Sequence, residues 1–220
     1  MWERVLTLTV SLWLFTNVAV ADVVSADNIG GAPQNSGYFT GIGYAGLYGF
    51  TNEAAAQEFT AQVGGQITTL LATVGQAEAE GVPLHVAIHG KSGGSVGPIL
   101  GQVTFASSEV PSGLDAHAFD LSPAAIDLSA GGSYFAVFTV DTPITGSVRY
   151  SAYRAANPAM LFGIRPLTSR DGGISWEEST IDPEIGLTVY VVPEPSALLL
   201  LSAGSGLVSR RLRRRRRVLR

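Results

Sequence analysis

Across residues 37–192 the chain never sustains an apolar period of 3.6. It runs instead in short alternating or apolar stretches cut by Gly, Pro, Asp and Ser. Side chains that alternate residue by residue suit a pleated strand with one face inward, and turn residues at this density leave no room for long helices. Ten stretches carry the pattern: 55–60, 66–74, 84–89, 99–106, 116–121, 134–140, 147–153, 161–168, 174–177 and 187–192. Their spacing predicts an all-β fold, a jelly-roll-like β-sandwich of about ten strands. The best helical signal, Asn52-Glu53-Ala54-Ala55-Ala56, suffices for one turn.

A chain of 220 residues accommodates one such domain of roughly 150 to 170 residues plus short terminal segments. The formal charge of -4 conceals a division. Residues 22–192 carry five basic against sixteen acidic side chains, a net of -11, whereas residues 193–220 carry eight arginines against Glu194 alone, a net of +7. An acidic body repels phosphate, so nucleic acid is excluded as a partner. There is no cysteine, which removes disulfides and thiolate metal sites.

Each end carries a targeting pattern. Near the N-terminus Arg4 precedes an apolar stretch at 5–15, followed by Ala19-Val20-Ala21. Small residues at Ala19 and Ala21 predict a signal peptide over 1–21, cut by signal peptidase after Ala21. At the other end, Pro193-Glu194-Pro195 precedes fourteen uncharged residues, 196–209, and then Arg210, Arg211, Arg213, Arg214, Arg215, Arg216 and Arg217. As a helix the uncharged segment covers roughly 21 Å against a hydrocarbon core of about 30 Å. It therefore predicts a short transmembrane helix, with the arginines setting topology on the cytoplasmic side and the acidic domain, 22–192, outside. Residues 193–220 form the anchor.

This three-part ending resembles the PEP-CTERM sorting signal of exopolysaccharide-producing Gram-negative bacteria. The resemblance implies recognition and processing by a membrane enzyme, exosortase, with Pro193, Glu194 and Pro195 as the sorting signal. The system is analogous to sortase and its LPxTG signal. The route implied leads through the inner membrane to the cell surface or extracellular matrix.

A second resemblance covers the body. Gln57-Glu58-Phe59-Thr60, Pro83-Leu84-His85-Val86-Ala87-Ile88 and the run from Leu128-Ser129-Ala130-Gly131-Gly132 to Ser133-Tyr134-Phe135-Ala136-Val137 are similar to the choice-of-anchor R domain, a β-sandwich module of bacterial surface proteins. No activity is attached to that module. The glycine turn at 131–132 reads as a hairpin before a core strand.

Candidate chemistry is sparse. His85 and His89 share one strand face, but about 13 Å apart, too far for one metal ion without a bend. His117 stands alone. Asp115, Asp120 and Asp127 lie near turns without a calcium-loop spacing. Glu177 and Glu178 fall on opposite strand faces, a poor glycosidase pair. Ser169, Asp171, Gly173 and Trp176 fit the Asp-box pattern S-x-D-x-G-x-x-W known from sialidases and other β-proteins, a structural turn in which the aspartate ties a tight hairpin and the tryptophan packs on it. Core packing accounts for most of Tyr134, Phe135, Tyr150, Tyr153 and Trp176, with a sugar-stacking platform as the alternative. These features predict a non-catalytic, exosortase-processed envelope or matrix protein with no cofactor or metal. The alternatives are a carbohydrate-binding module for exopolysaccharide and a hydrolase whose site the sequence does not reveal.

Overall fold

The computed structural model describes residues 21–27, 29, 39–46, 49–78, 80–112, 116–153, 166–179 and 185–194. Sixteen strands lie among them: β1 (Val23–Asp27), β2 (Phe39–Ile42), β3 (Tyr44–Ala45), β4 (Ala54–Thr60), β5 (Gly65–Ala72), β6 (Val74–Gln76), β7 (Leu84–Ser92), β8 (Ser95–Phe105), β9 (His117–Asp120), β10 (Asp127–Leu128), β11 (Ser133–Thr139), β12 (Ile144–Thr145), β13 (Tyr150–Tyr153), β14 (Leu167–Ser169), β15 (Glu177–Glu178) and β16 (Leu187–Pro193). Five strands form one sheet in the order β1-β16-β5-β10, with β9 also paired to β5. Six form a second, β15-β14-β4-β11-β7-β8. Two small sheets, β2-β13-β6 and β12-β3, complete the set.

Successive long strands alternate between the two large sheets. β1 lies in the first, β4 in the second, β5 in the first, β7 and β8 in the second, β9 in the first, β11 in the second and β16 in the first. Each change of sheet carries the chain over the core, which is jelly-roll winding and leaves two apolar faces to bury each other. The shared core takes Ile67, Leu70, Val189 and Val191 from one sheet and Phe59, Val86, Ile88 and Phe138 from the other. Phe119 of β9 sits at the seam, edge-on to Phe105 at 5.0 Å and tilted against Phe138 at 6.3 Å.

The Ala-rich segment that suggested a helical turn is strand β4. It is buried from Ala54 to Phe59, because both of its faces are covered. Ala55 and Phe59 join the main core, while Ala56 joins a smaller outer cluster with Ala87, Phe135, Val137 and Leu167, capped by Val96 and Trp176. Small side chains let both layers approach, and that burial outweighs the helix preference of alanine. The glycine turn before β11 also differs from expectation. β10 belongs to the first sheet and β11 to the second, so the turn crosses between sheets instead of making a hairpin. Gly131, at φ +78°, donates to the Ala61 carbonyl at 2.7 Å, and Ala61 donates to the Gly132 carbonyl at 2.9 Å.

Two further expectations are corrected. Ten strands were too few, because two-residue strands such as β3, β10 and β12 are too short to show a period. The transmembrane helix is the larger correction. Among the described residues no helix is long and apolar enough to cross a membrane. The helical segments with assigned bounds are two three-residue 3-10 turns, Ser107–Glu109 and Ser122–Ala124. The physical obstacle is visible in the sequence, since the segment expected to span is short of the hydrocarbon thickness and contains Gly204 and Gly206, both unfavourable in a helix. Residues 195–220 themselves lie outside the described residues. The membrane topology, and the inner-membrane route to a surface address built on it, are therefore not carried further.

Candidate functional site

The C-terminal motif meets the fold at the end of β16. This strand lies between β1 and β5, so its backbone is paired on both sides. Buried Leu187, Val189 and Val191 point into the core, and the Thr188 hydroxyl donates to Asp27 Oδ1 at 2.6 Å, fastening β16 to β1. Pro193 is the last residue of the strand, buried and registered opposite Gly65. Glu194 follows it, exposed. The strand thus runs one residue beyond the boundary read at 192/193. Pro195 and the arginines from Arg210 to Arg217 lie outside the described residues.

The N-terminal end arrives at the same place. Val23 pairs with Val191, and continuing that register sets Asp22 beside Val192 and Ala21 beside Pro193. Ala21 and Asp22 are exposed, and Ala19 lies outside the described residues. The two expected processing points therefore share one end of one sheet.

The hairpin between β14 and β15 brings Ser169, Asp171, Gly173 and Trp176 together. Ser169 Oγ donates to Asp171 Oδ1 at 2.7 Å and accepts from the Gly173 amide at 2.7 Å. Asp171 Oδ1 also accepts from the amides of Ile174 and Ser175 at 3.1 and 2.9 Å, and Oδ2 accepts from Ser175 Oγ at 2.6 Å. Gly172 and Gly173 take φ of +77° and +96°, which side chains with a Cβ resist. Trp176 Nε1 donates to the Gly173 carbonyl at 3.0 Å while its ring covers the outer cluster. Both carboxylate oxygens are engaged within the turn, so the arrangement closes a lid over apolar side chains.

Hydrogen bonds from the Ser175 side chain and backbone, then from Ser169, hold the Asp171 carboxyl down at about 2. A depressed carboxyl stabilises the fold above its unfolded value near 3.8, and that contribution is lost as pH falls through about 2. Asp171→Ala removes the acceptor, so the Ile174 and Ser175 amides should exchange with solvent faster than in the parent at neutral pH. Unchanged exchange at both amides would refute the role given to this carboxylate.

The outer face of the six-stranded sheet holds most of the remaining polar candidates. His85 Nδ1 meets Thr104 Oγ1 at 2.9 Å, and its Nε2 lies 3.0 Å from Asp141 Oδ2, close enough for an ion pair with a protonated ring but not aligned as a hydrogen bond. His89 Nδ1 meets the Gly97 carbonyl at 2.9 Å. Each histidine is held by its own neighbours, and they do not converge. Buried Glu58 takes the ammonium of Lys91 at 2.5 Å, a pairing that no sequence pattern announced. His117, near the sheet edge, packs edge-on to Phe119 at 4.7 Å, and burial pushes its pKa down against the opposing charge of Glu109.

The carboxylates are also dispersed. Asp120 Oδ1 accepts from the amide and hydroxyl of Ser122, Asp127 pairs across to Gln66, and Asp115 lies outside the described residues. Glu177 pairs with Arg170 at 2.6 Å. Among the described residues no three His, Asp or Glu side chains are grouped to hold a metal ion. Phe135 and Tyr150 are buried, with the Tyr150 hydroxyl donating to the Val82 carbonyl, and Tyr134 lies against Phe59 at 5.8 Å.

No family model matches the chain, and no curated protein matches it significantly. The likenesses to the PEP-CTERM signal and to the choice-of-anchor R module therefore stand on the residues that carry them.

Proposed function

We propose that this chain is a non-catalytic β-sandwich cargo whose Pro193-Glu194-Pro195 motif is recognised and processed by exosortase. One observation carries the reading: the sheet ends within the motif, with Pro193 closing β16 and Glu194 exposed next to it. β16 completes the first sheet up to Pro193, and Glu194 is exposed immediately outside it. A signal read by an enzyme has to be reachable, and the exposed Glu194 stands at the end of the strand, where pairing to β1 has already stopped at Val191. The non-catalytic part of the proposal is supported by the engagement of Asp171, Asp120 and Glu177 in local turns and pairs.

Intact mass decides between processed and unprocessed chains. In a host containing exosortase the product should lose its C-terminal segment, and in the same host lacking that enzyme it should remain whole. Glu194→Ala should abolish the loss. A variant that matures normally, or a full-length product in both hosts, would end the proposal.

A further inference from the structure

The outermost strand of a sheet has backbone groups with no neighbour, and a chain that is to stay single guards such an edge with charge, bulges, proline or shortness. Among the described residues the two large sheets have five edge strands, β1, β9, β10, β15 and β8. The first four are guarded by charge. β1 contains Asp27, follows Asp22 and is broken by a register shift between Val24 and Ala26. β9 ends on Asp120, β10 begins with Asp127, and β15 consists of Glu177 and Glu178 alone.

β8 is the exception. It is the longest described strand, with eleven residues, and it closes the six-stranded sheet with β7 as its strand partner. No charged side chain occurs from Ser92 to Ser108. Its first half has other guards: two register shifts against β7 lie between Val96 and Gly101, and Pro98 has no amide hydrogen. The second half has none of these. Gly101–Phe105 pairs residue for residue with Leu84–Ile88, and Gln102 and Thr104 on it are exposed. Ile99 and Leu100, 54% and 43% exposed, stand at the head of this regular stretch. An apolar pair thus lies in water beside an unguarded backbone edge.

We infer that Gly101–Phe105 is a self-association edge: a second copy of this chain adds its own β8 antiparallel across a two-fold axis at Val103, joining two six-stranded sheets into one. Charge decides the occupant. Residues 22–192 carry a net -11, so two copies repel wherever their carboxylates meet, whereas the facing β8 strands carry no charge at all. A basic partner is drawn instead to the edges that bear carboxylates. The strand also matches itself. With Val103 on the axis, Gln102 of one copy faces Thr104 of the other, polar against polar, and Gly101 faces Phe105, small against large. Ile99 and Leu100 then reach Ser107 and Ala106 of the copy, again without charge. The same repulsion between the acidic bodies makes salt a readout, because screening it strengthens this association. None of this depends on exosortase.

Sedimentation equilibrium of the purified full chain over a range of concentrations, at low and at raised salt, tests the inference. The parent should show a monomer–dimer equilibrium that salt moves toward dimer. Gln102→Lys and Thr104→Glu each set a charge against an uncharged residue of the copy. Each should weaken the dimer by about tenfold per copy, about a hundredfold in all, because a two-fold axis repeats the substitution. In the double variant the two new charges face each other across the axis with opposite sign, and most of the loss should return. If either single variant fails to fold, Leu100→Asp, which sets a charge beside Ala106 of the copy, decides the same point. A parent that stays monomeric at every concentration and salt overturns the inference, including the case in which the edge accepts a foreign strand. Dimers that all the variants leave unchanged place the contact elsewhere, as in the terminal segments, and overturn it too. A double variant that dimerises no better than the singles refutes the two-fold register.

Discussion

Phe119→Ala should destabilise the domain by about 3 to 5 kcal/mol, the range for truncating a buried phenylalanine. Phe119 is fully buried. It sits on β9, whose strand pairing is to β5, and its ring meets Phe105 of β8 and Phe138 of β11. Removing it opens a cavity where the two large sheets are joined, and the flanking rings are fixed by their own strands and cannot collapse into the space. Against a typical domain stability of about 5 to 15 kcal/mol, the loss is a large share. Urea unfolding should show a lower midpoint with an unchanged slope. A change below about 1 kcal/mol would mean that the seam does not depend on this ring.

The second large effect belongs to the Glu58–Lys91 pair. Lys91→Met leaves the Glu58 carboxylate, with 7% of its side chain exposed, without the ammonium now 2.5 Å away. Breaking a fully buried pair costs about 3 to 5 kcal/mol, but the lysine side chain is 33% exposed, so solvent screening reduces the expected cost to about 1 to 3 kcal/mol. Adding Glu58→Gln removes the stranded charge and should restore part of the loss, because a neutral amide is cheaper to bury than a carboxylate. The four proteins form a double-mutant cycle that isolates the coupling. Additive losses would show that the close approach contributes nothing to stability.

What the sequence disclosed follows the range of the interactions involved. The Asp-box turn was readable because Ser169, Asp171 and Gly173 bond to atoms within a few positions of themselves. β7 and β11 were readable because each is long enough to show apolar spacing, whereas the Ala-rich start of β4 suggested a helical turn. β1 was not, since Val23 to Asp27 immediately follow a leader-like segment and make sense only once Val189 and Val191 are seen beside them. The outer cluster under Trp176 was equally invisible, because Ala56, Ala87 and Phe135 come from three distant stretches. That β16 runs one residue past the strand read at 187–192 has a related reason. Proline reads as a strand breaker locally, and only the register with Gly65 shows it as the strand's closing residue.

The position of β16 has a temporal meaning. The last long strand synthesised is inserted between the first strand and β5, so until residues 187–193 emerge, β1 has no partner on the described sheet and the sheet stands divided by an open slot. Contacts spanning nearly the whole chain make closure slow relative to local folding, since a large loop must be brought together before any pairing energy is returned. Β16 acts as the keystone of the arch. A ribosome must reach the end of the domain before the domain can exist, and the step that locks the sheet is the same step that fixes where Glu194 stands.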